Sequence, residues 1–235
     1  MIVTDPAAFL AAYSPERFPV RAAATPRAAF LVAPAGTALA AESASDNRYM
    51  ALGEPIDLPR ALAQHAELAR RLGEDVPVVS FPGRPDCPDG MFPNNVFATA
   101  SGRFIVGRMR HAVRQREAGL ADVRAFFRDT LGYRLVDFSR EPFVAELTGS
   151  LVIDRARGLG YYNLSERCDL AGARAMHEAF GLAMTFCFEL ADGEYHTNVV
   201  FALLAGRVAL LAPSGFRDAA VPAAIARAFG GAVIS

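Results

Sequence analysis

The stretch SLVIDRARGLGYYNLSERCDLAGARAMHEAFGLAMTFCFEL, Ser150 to Leu190, decides the fold. Its first fifteen residues hold two apolar runs, LVID and LGYYN, joined by a polar segment ending in glycine, which is the pattern of a β-hairpin. Asp169 then stands where a helix N-cap belongs and Gly181 where a C-cap belongs, so DLAGARAMHEAF reads as a helix. MTFCFEL, apolar and aromatic, reads as a third strand.

Working outward, the same order of elements recurs on both sides. Upstream, VFATASGRFIVGRM (96–109) is a hairpin with a Ser-Gly turn, REAGLADVRAFFRDTLG (116–132) an amphipathic helix, and YRLVDF (133–138) a strand. Downstream, VVFALLAGRVALLAP (199–213) turns at Gly206, RDAAVPAAIARAFG (217–230) is a helix, and GAVIS (231–235) starts a strand. AAFLVAP, LPRALAQHAELARRLG and VPVVSF, between residues 28 and 81, give a looser copy. The chain therefore reads as an α/β protein of four strand–strand–helix–strand units at a period of roughly 50 residues. Such units cannot bury both faces alone; they stack around an axis as a propeller-like ring. Residues 1–27 fall outside the pattern and read as an N-terminal extension to a domain spanning 28–235.

Polar residues mark one end of the ring. Asn94 and Asn95 precede the second unit's hairpin, Glu146 the third's and His196 the fourth's. Positions related by rotation lie at one height around the axis, so these side chains are expected to converge on a central cleft. His196, able to exchange a proton near neutral pH, then reads as an acid–base group rather than a capped loop histidine. Asn198 falls on the same side by strand alternation. Glu146 reads equally well as a solvated strand-end carboxylate or as a partner for a cationic or amide-like group. The loop PDCPDGMFPNNVFAT (85–99) reads as a turn or as a platform presenting Asp89, Asn94 and Asn95 to a ligand. Arg167 is either a surface ion-pair partner or a fork for a substrate carboxylate. The basic run RMRHAVRQRE (108–117) reads as a solvated helix start.

Composition narrows the class. A formal net charge of −1 argues against a nucleic-acid surface. No run of about 18 uncharged apolar residues suggests a membrane span, and the N-terminus lacks a signal-peptide pattern. Three cysteines, Cys87, Cys168 and Cys187, show neither metal-ligand spacing nor a disulfide framework. They fit a reducing cytoplasm. Nothing in the pattern calls for a metal or an organic cofactor.

These residues, in this order, resemble the pentein superfamily of guanidino-group-modifying enzymes: arginine deiminases, dimethylarginine dimethylaminohydrolases and amidinotransferases. NNVFATASGRFIVGRMRHAVRQRE (94–117) resembles the arginine deiminase stretch carrying an Asn and a Phe-Thr-Arg-Asp motif. ELTGSLVIDRARGLGYYNLSERCD (146–169) is similar to the Glu-Gly-Gly-Asp hairpin followed by Leu-Ser-x-Arg-Thr, and YHTNVVFAL (195–203) to His-x-Asp-x-x-Phe. PDGMFPNN (88–95) and TGS (148–150) point to the bacterial citrulline-utilisation hydrolase-like subgroup.

The resemblance, from about residue 28 onward, implies a five-unit α/β propeller. It also implies a hydrolase that cleaves a non-peptide carbon–nitrogen bond of a guanidino or ureido amino acid. His196 would be the acid–base, Glu146 would hold the guanidino or ureido nitrogens, and Arg167 would bind the substrate carboxylate. Asp89, Asn94, Asn95 and Asn198 would line the pocket. Two family aspartates are missing, at FATASG (97–102) and at Asn198, which suits a neutral ureido group such as citrulline better than cationic arginine. The family's nucleophile is a cysteine in the fifth unit, and none of the three cysteines matches it. The expectation is therefore that the chain lacks the fifth unit and that the nucleophile lies beyond residue 235, with a homo-oligomer one way to cover the seam. The alternatives are a catalytically inactive pentein acting as a binding protein, as in a ribosome anti-association factor of the superfamily, or an amidinotransferase.

Overall fold

The computed structural model describes residues 1–235 except 37, 38, 51, 54, 55, 231, 232 and 235. Twelve strands are described: β1 (Ile2–Val3), β2 (Ala29–Val32), β3 (Val78–Phe81), β4 (Phe97–Ala100), β5 (Arg103–Val106), β6 (Arg134–Asp137), β7 (Leu151–Asp154), β8 (Leu159–Asn163), β9 (Met184–Phe188), β10 (Phe201–Leu204), β11 (Val208–Leu211) and β12 (Val233–Ile234). They form four separate sheets.

In three of the sheets an antiparallel hairpin pairs through its second strand with a parallel third strand. The orders are β4-β5-β6, β7-β8-β9 and β10-β11-β12. A helix or helical segment bridges each second and third strand: 121–130, Leu170–Phe180 and Ala220–Ala228. The caps of Leu170–Phe180 lie where the sequence put them. Asp169 Oδ1 accepts from Gly172 N at 2.7 Å, and Gly181 takes the left-handed conformation at φ +66°. The hairpin turns also need positive φ, at Ser101 and Gly102 and at Ala205 and Gly206.

The first unit differs from the expected copy. It is a two-stranded parallel sheet, β2 against β3, joined through helix Leu58–Leu72, with no hairpin partner for β2 among the described residues. The expected last strand, 231–235, is described only at Val233–Ile234, which pair with Ala209 and Leu210. The fold is a mixed α/β arrangement of repeated units.

Residues 1–27 are packed into this body. β1 adds a parallel edge to β9, and helix Pro6–Ala12 drives Phe9, 1% exposed, onto Phe186 with ring centroids 4.6 Å apart. Phe18 joins the same apolar cluster as Tyr161, Phe201 and Ile225, so this cluster ties the segment to the third and fourth units.

Candidate active site

Before each hairpin of the last three units the chain winds into one short helical turn: Pro93–Asn95, Leu147–Ser150 and Thr197–Val200. Glu146 and His196 are the residues leading into the second and third of these turns, each five positions before the next strand. Their equivalent in the first turn is Phe92, which is half exposed. The turns bring Asn95, Glu146 and His196 together; the repeat phase accounts for Glu146 and His196, whereas Asn95 reaches the junction from three residues further along its own turn.

His196 Nε2 lies 2.7 Å from Glu146 Oε2, and the two residues are 2% and 0% exposed. Gly149 packs against both sides of this junction. A Cβ built there would lie 2.5 Å from Asn95 Oδ1 and 2.8 Å from His196 Nδ1, so only glycine allows the three turns to approach this closely. Glu146 Oε1 accepts the backbone N–H of Arg110 at 3.1 Å, and Arg167 Nη1 lies 3.4 Å from Oε2.

Burial alone would raise the Glu146 pKa. The His196 hydrogen bond and the positive charges of Arg167 and Arg114 outweigh it and hold the carboxyl below its ordinary value. Burial pushes the His196 pKa down, and Glu146 only partly offsets it. Both shifts run toward an ionised carboxylate and an uncharged imidazole near neutral pH. Because an ionised carboxylate can only accept, Nε2 carries the proton and Nδ1 keeps its lone pair.

Above the pair sits Arg167, 3% exposed, stacked over the Tyr195 ring at 4.9 Å. Its guanidinium forms an ion pair with Asp46 and donates to the Ser43 carbonyl at 3.1 Å. Asp46 also takes Arg110 Nη1 at 2.8 Å and His111 Nε2 at 3.1 Å. These groups border an open cleft of about 420 Å³ whose lining includes Asp46, Arg110, Arg167, Glu194 and Tyr195.

The remaining sequence-derived residues are placed differently. Asn94 is half-buried; its amide donates to Asn95 Oδ1 at 2.9 Å, and its carbonyl accepts from Thr148. Asp89 is buried beneath, where Ser43 Oγ donates to it and Arg114 lies 4.0 Å away. Asn198 is exposed and is not brought to the pair. Residues 197–200 coil as a helical turn, so strand alternation does not apply there.

The basic run 108–117 departs from the solvated helix start expected of it. Arg114 is buried and makes a bidentate pair with Glu117 at 2.8 and 2.9 Å. Sequence reasoning missed Asp46, Arg110 and Tyr195. Asp46 sits in a polar loop, and nothing in ESASDNRY (42–49) marks one aspartate as special.

The thiols stand apart. Cys87, Cys168 and Cys187 are all buried, and none hydrogen-bonds to Glu146 or His196. Burial pushes Cys168 up to about 11 and Cys187 up to about 12. Among the described residues no group of three or more His, Cys, Asp or Glu could hold a metal ion, and no helix is long and apolar enough to cross a membrane.

Residues 33–230 match the sequence profile of the family described as N,N dimethylarginine dimethylhydrolase, eukaryotic. The chain belongs to this family. That membership places it in the pentein superfamily of guanidino-modifying proteins.

Solved structures share the fold at low identity. The N-terminal domain of ArgZ, an arginine dihydrolase from the ornithine–ammonia cycle in cyanobacteria, was solved as a cysteine-to-serine mutant bound to substrate. It superposes with TM-score 0.72 and 17% identity over 88% of this chain and 74% of that one. Full ArgZ gives TM-score 0.73 at 18% identity, and this chain spans only 31% of its length. The dimethylarginine dimethylaminohydrolase from Pseudomonas aeruginosa, complexed with citrulline, gives TM-score 0.60 and 22% identity over 77% of this chain and 68% of that one. No curated protein matches the chain by sequence.

Proposed function

We propose that this dimethylarginine dimethylhydrolase-family chain carries the acid–base half of a hydrolase site. The site acts on a non-peptide carbon–nitrogen bond of a guanidino or ureido amino acid. The observation that carries the reading is the buried 2.7 Å contact between His196 and Glu146 beside Asn95. Glu146 and Asn95 bring a carboxylate and an amide oxygen to one junction, and acceptors of this kind suit the coplanar N–H groups of a guanidino or ureido head. Arg167, with Arg110 beside it, provides the fork for an α-carboxylate.

The chemistry needs a thiolate that attacks the central carbon, forming a C–S bond. His196, once protonated, gives its proton to the departing amine as the C–N bond breaks. The neutral imidazole then takes a proton from water, whose oxygen attacks the same carbon and releases the thiolate. None of Cys87, Cys168 or Cys187 is placed for the first step, so the nucleophile lies outside residues 1–235 in this reading. The superfamily aspartate missing at FATASG (97–102) leaves the site less negative and favours a neutral ureido substrate such as citrulline; Asn198, being exposed, does not contribute. A cytoplasmic setting fits the three unpaired cysteines.

The position of those cysteines also favours a second reading, a non-catalytic pentein that binds an amino acid. Both readings require binding, and only the first requires turnover. The test is ammonia release from L-citrulline and L-arginine by the protein purified from its own cell, alongside calorimetric binding to residues 1–235. Turnover lost in His196→Ala supports the hydrolase. Binding without turnover favours the second reading, and no binding of either ligand rejects both.

A further inference from the structure

The fork of Arg167 is already filled. Of its five N–H groups, Nε and one on Nη2 face the Asp46 carboxylate, the other on Nη2 reaches the Ser43 carbonyl, and one on Nη1 faces Glu146. A carboxylate bound bidentately needs two parallel N–H groups, and the Nε/Nη2 edge that offers them is held by Asp46. Arg110 Nη1 and His111 Nε2 turn to the same carboxylate. Arg167, Arg110 and His111 thus converge on one carboxylate seat, at the wall of the 420 Å³ cleft.

Asp46 reaches that seat on a segment held mainly by polar contacts. Ser43 Oγ donates to Asp89, the Val113 N–H donates to Glu42 at 3.1 Å, and Arg48 and Tyr49 both reach Glu194. No side chain between Glu42 and Met50 belongs to the apolar core clusters. A segment fastened this way is able to lift without unfolding the body beneath it.

We propose that Asp46 is an internal stand-in for the ligand's carboxylate and sets the site's selectivity by competing for the Arg167–Arg110–His111 seat. A ligand bearing a carboxylate must displace Asp46, and its apparent affinity is reduced by the fraction of molecules in which Asp46 is seated. A ligand lacking the carboxylate does not meet this competition. The inference rests on the carboxylate-binding role given to Arg167 above.

Two variants test it. Asp46→Gly empties the seat, so sodium acetate should raise its melting temperature saturably relative to sodium chloride at equal ionic strength, with wild type unresponsive. Adding Arg167→Lys should abolish the acetate effect. Asp46→Asn removes the charge with little change of shape. It should bind L-citrulline about tenfold tighter than wild type, with binding of L-citrullinamide unchanged. Weaker citrulline binding by Asp46→Asn would overturn the inference, because Asp46 would then be a ligand for the ammonium group. A folded Asp46→Gly protein without a saturable acetate effect would overturn it as well. If Asp46→Gly does not fold, acetate is titrated into Asp46→Ala under the same criterion. If acetate fills the seat but neither citrulline nor arginine binds any form, the seat stands and the proposed substrate class falls.

Discussion

His196 Nε2 meets Glu146 Oε2 at 2.7 Å although the two residues are 50 positions apart in the chain. Each stands five residues ahead of the first strand of its unit, at the lead-in to an equivalent helical turn. The contact is thus a product of the repeat. Two copies of one backbone device, rotated about a common axis, deliver their lead-in side chains to the same place. Different residues at that place make an acid–base pair from what would otherwise be a structural echo.

The charge state of this pair predicts an acid-labile fold. His196 and Glu146 both titrate below their ordinary values of 6.5 and 4.5 in the folded protein. The unfolded chain therefore takes up protons first, and stability falls as pH drops below 6.5 through the lowered His196 value. A second loss follows below 4.5 as Glu146 protonates. Urea midpoints at pH 7.5, 6.0 and 5.0 for wild type and His196→Gln should show the upper step in wild type only. A wild-type midpoint that drops no more than the variant's between pH 7.5 and 5.0 would contradict the assignment.

Gly149→Ala probes the same junction from the backbone side. The added methyl would press on Asn95 Oδ1 at 2.5 Å and on the His196 ring at 2.8 Å. Overpacking of this kind costs about 1–3 kcal/mol. Chemical denaturation should show that loss, and the His196 ring resonances should shift. A variant as stable as wild type with an unmoved imidazole spectrum would mean that the turns are not so tightly apposed.

The repeat was legible because each of its last three copies combines a hairpin, a helix followed by a glycine and a short third strand. Glu146 and His196 were legible because phase in the repeat fixes their height, whereas the residue in phase with them in the preceding unit is Phe92 and Asn95 arrives three residues later. Asn198 shows the limit of that reasoning. Local coiling of 197–200 changes which side chains face the axis, and alternation along a strand cannot report it. Asp46 was illegible for another reason: it reaches Arg167 from 121 residues away, through a loop between the strand and helix of the looser first unit. The depth of Arg114 was hidden too, since a buried bidentate pair and a solvated charge run look alike in sequence.

The N-terminal segment gives a prediction about stability. Phe9 stacks on Phe186 and lies edge-on to Tyr161, so its ring is part of the core although its helix precedes the repeat. Phe9→Ala should cost about 3–5 kcal/mol. Thermal unfolding of the variant should show a large drop in midpoint; a shift within about 0.5 kcal/mol of wild type, the range typical of surface substitutions, would mean that this segment is dispensable.

The thiols supply the last prediction, and it bears on function. Burial raises the pKa of all three cysteines, with Cys168 near 11 and Cys187 near 12. The thiolate is the reactive form, so at pH 8 each is almost wholly protonated as well as shielded from solvent. Residues 1–235 should therefore react with Ellman's reagent far more slowly when native than in guanidinium, where all three should be titrated. Citrulline should not protect any of them, since all three are buried and none hydrogen-bonds to His196 or Glu146. A thiol that reacted rapidly in the native chain and was protected by citrulline would change the mechanism. It would place a nucleophile inside these 235 residues and remove the need for one outside them.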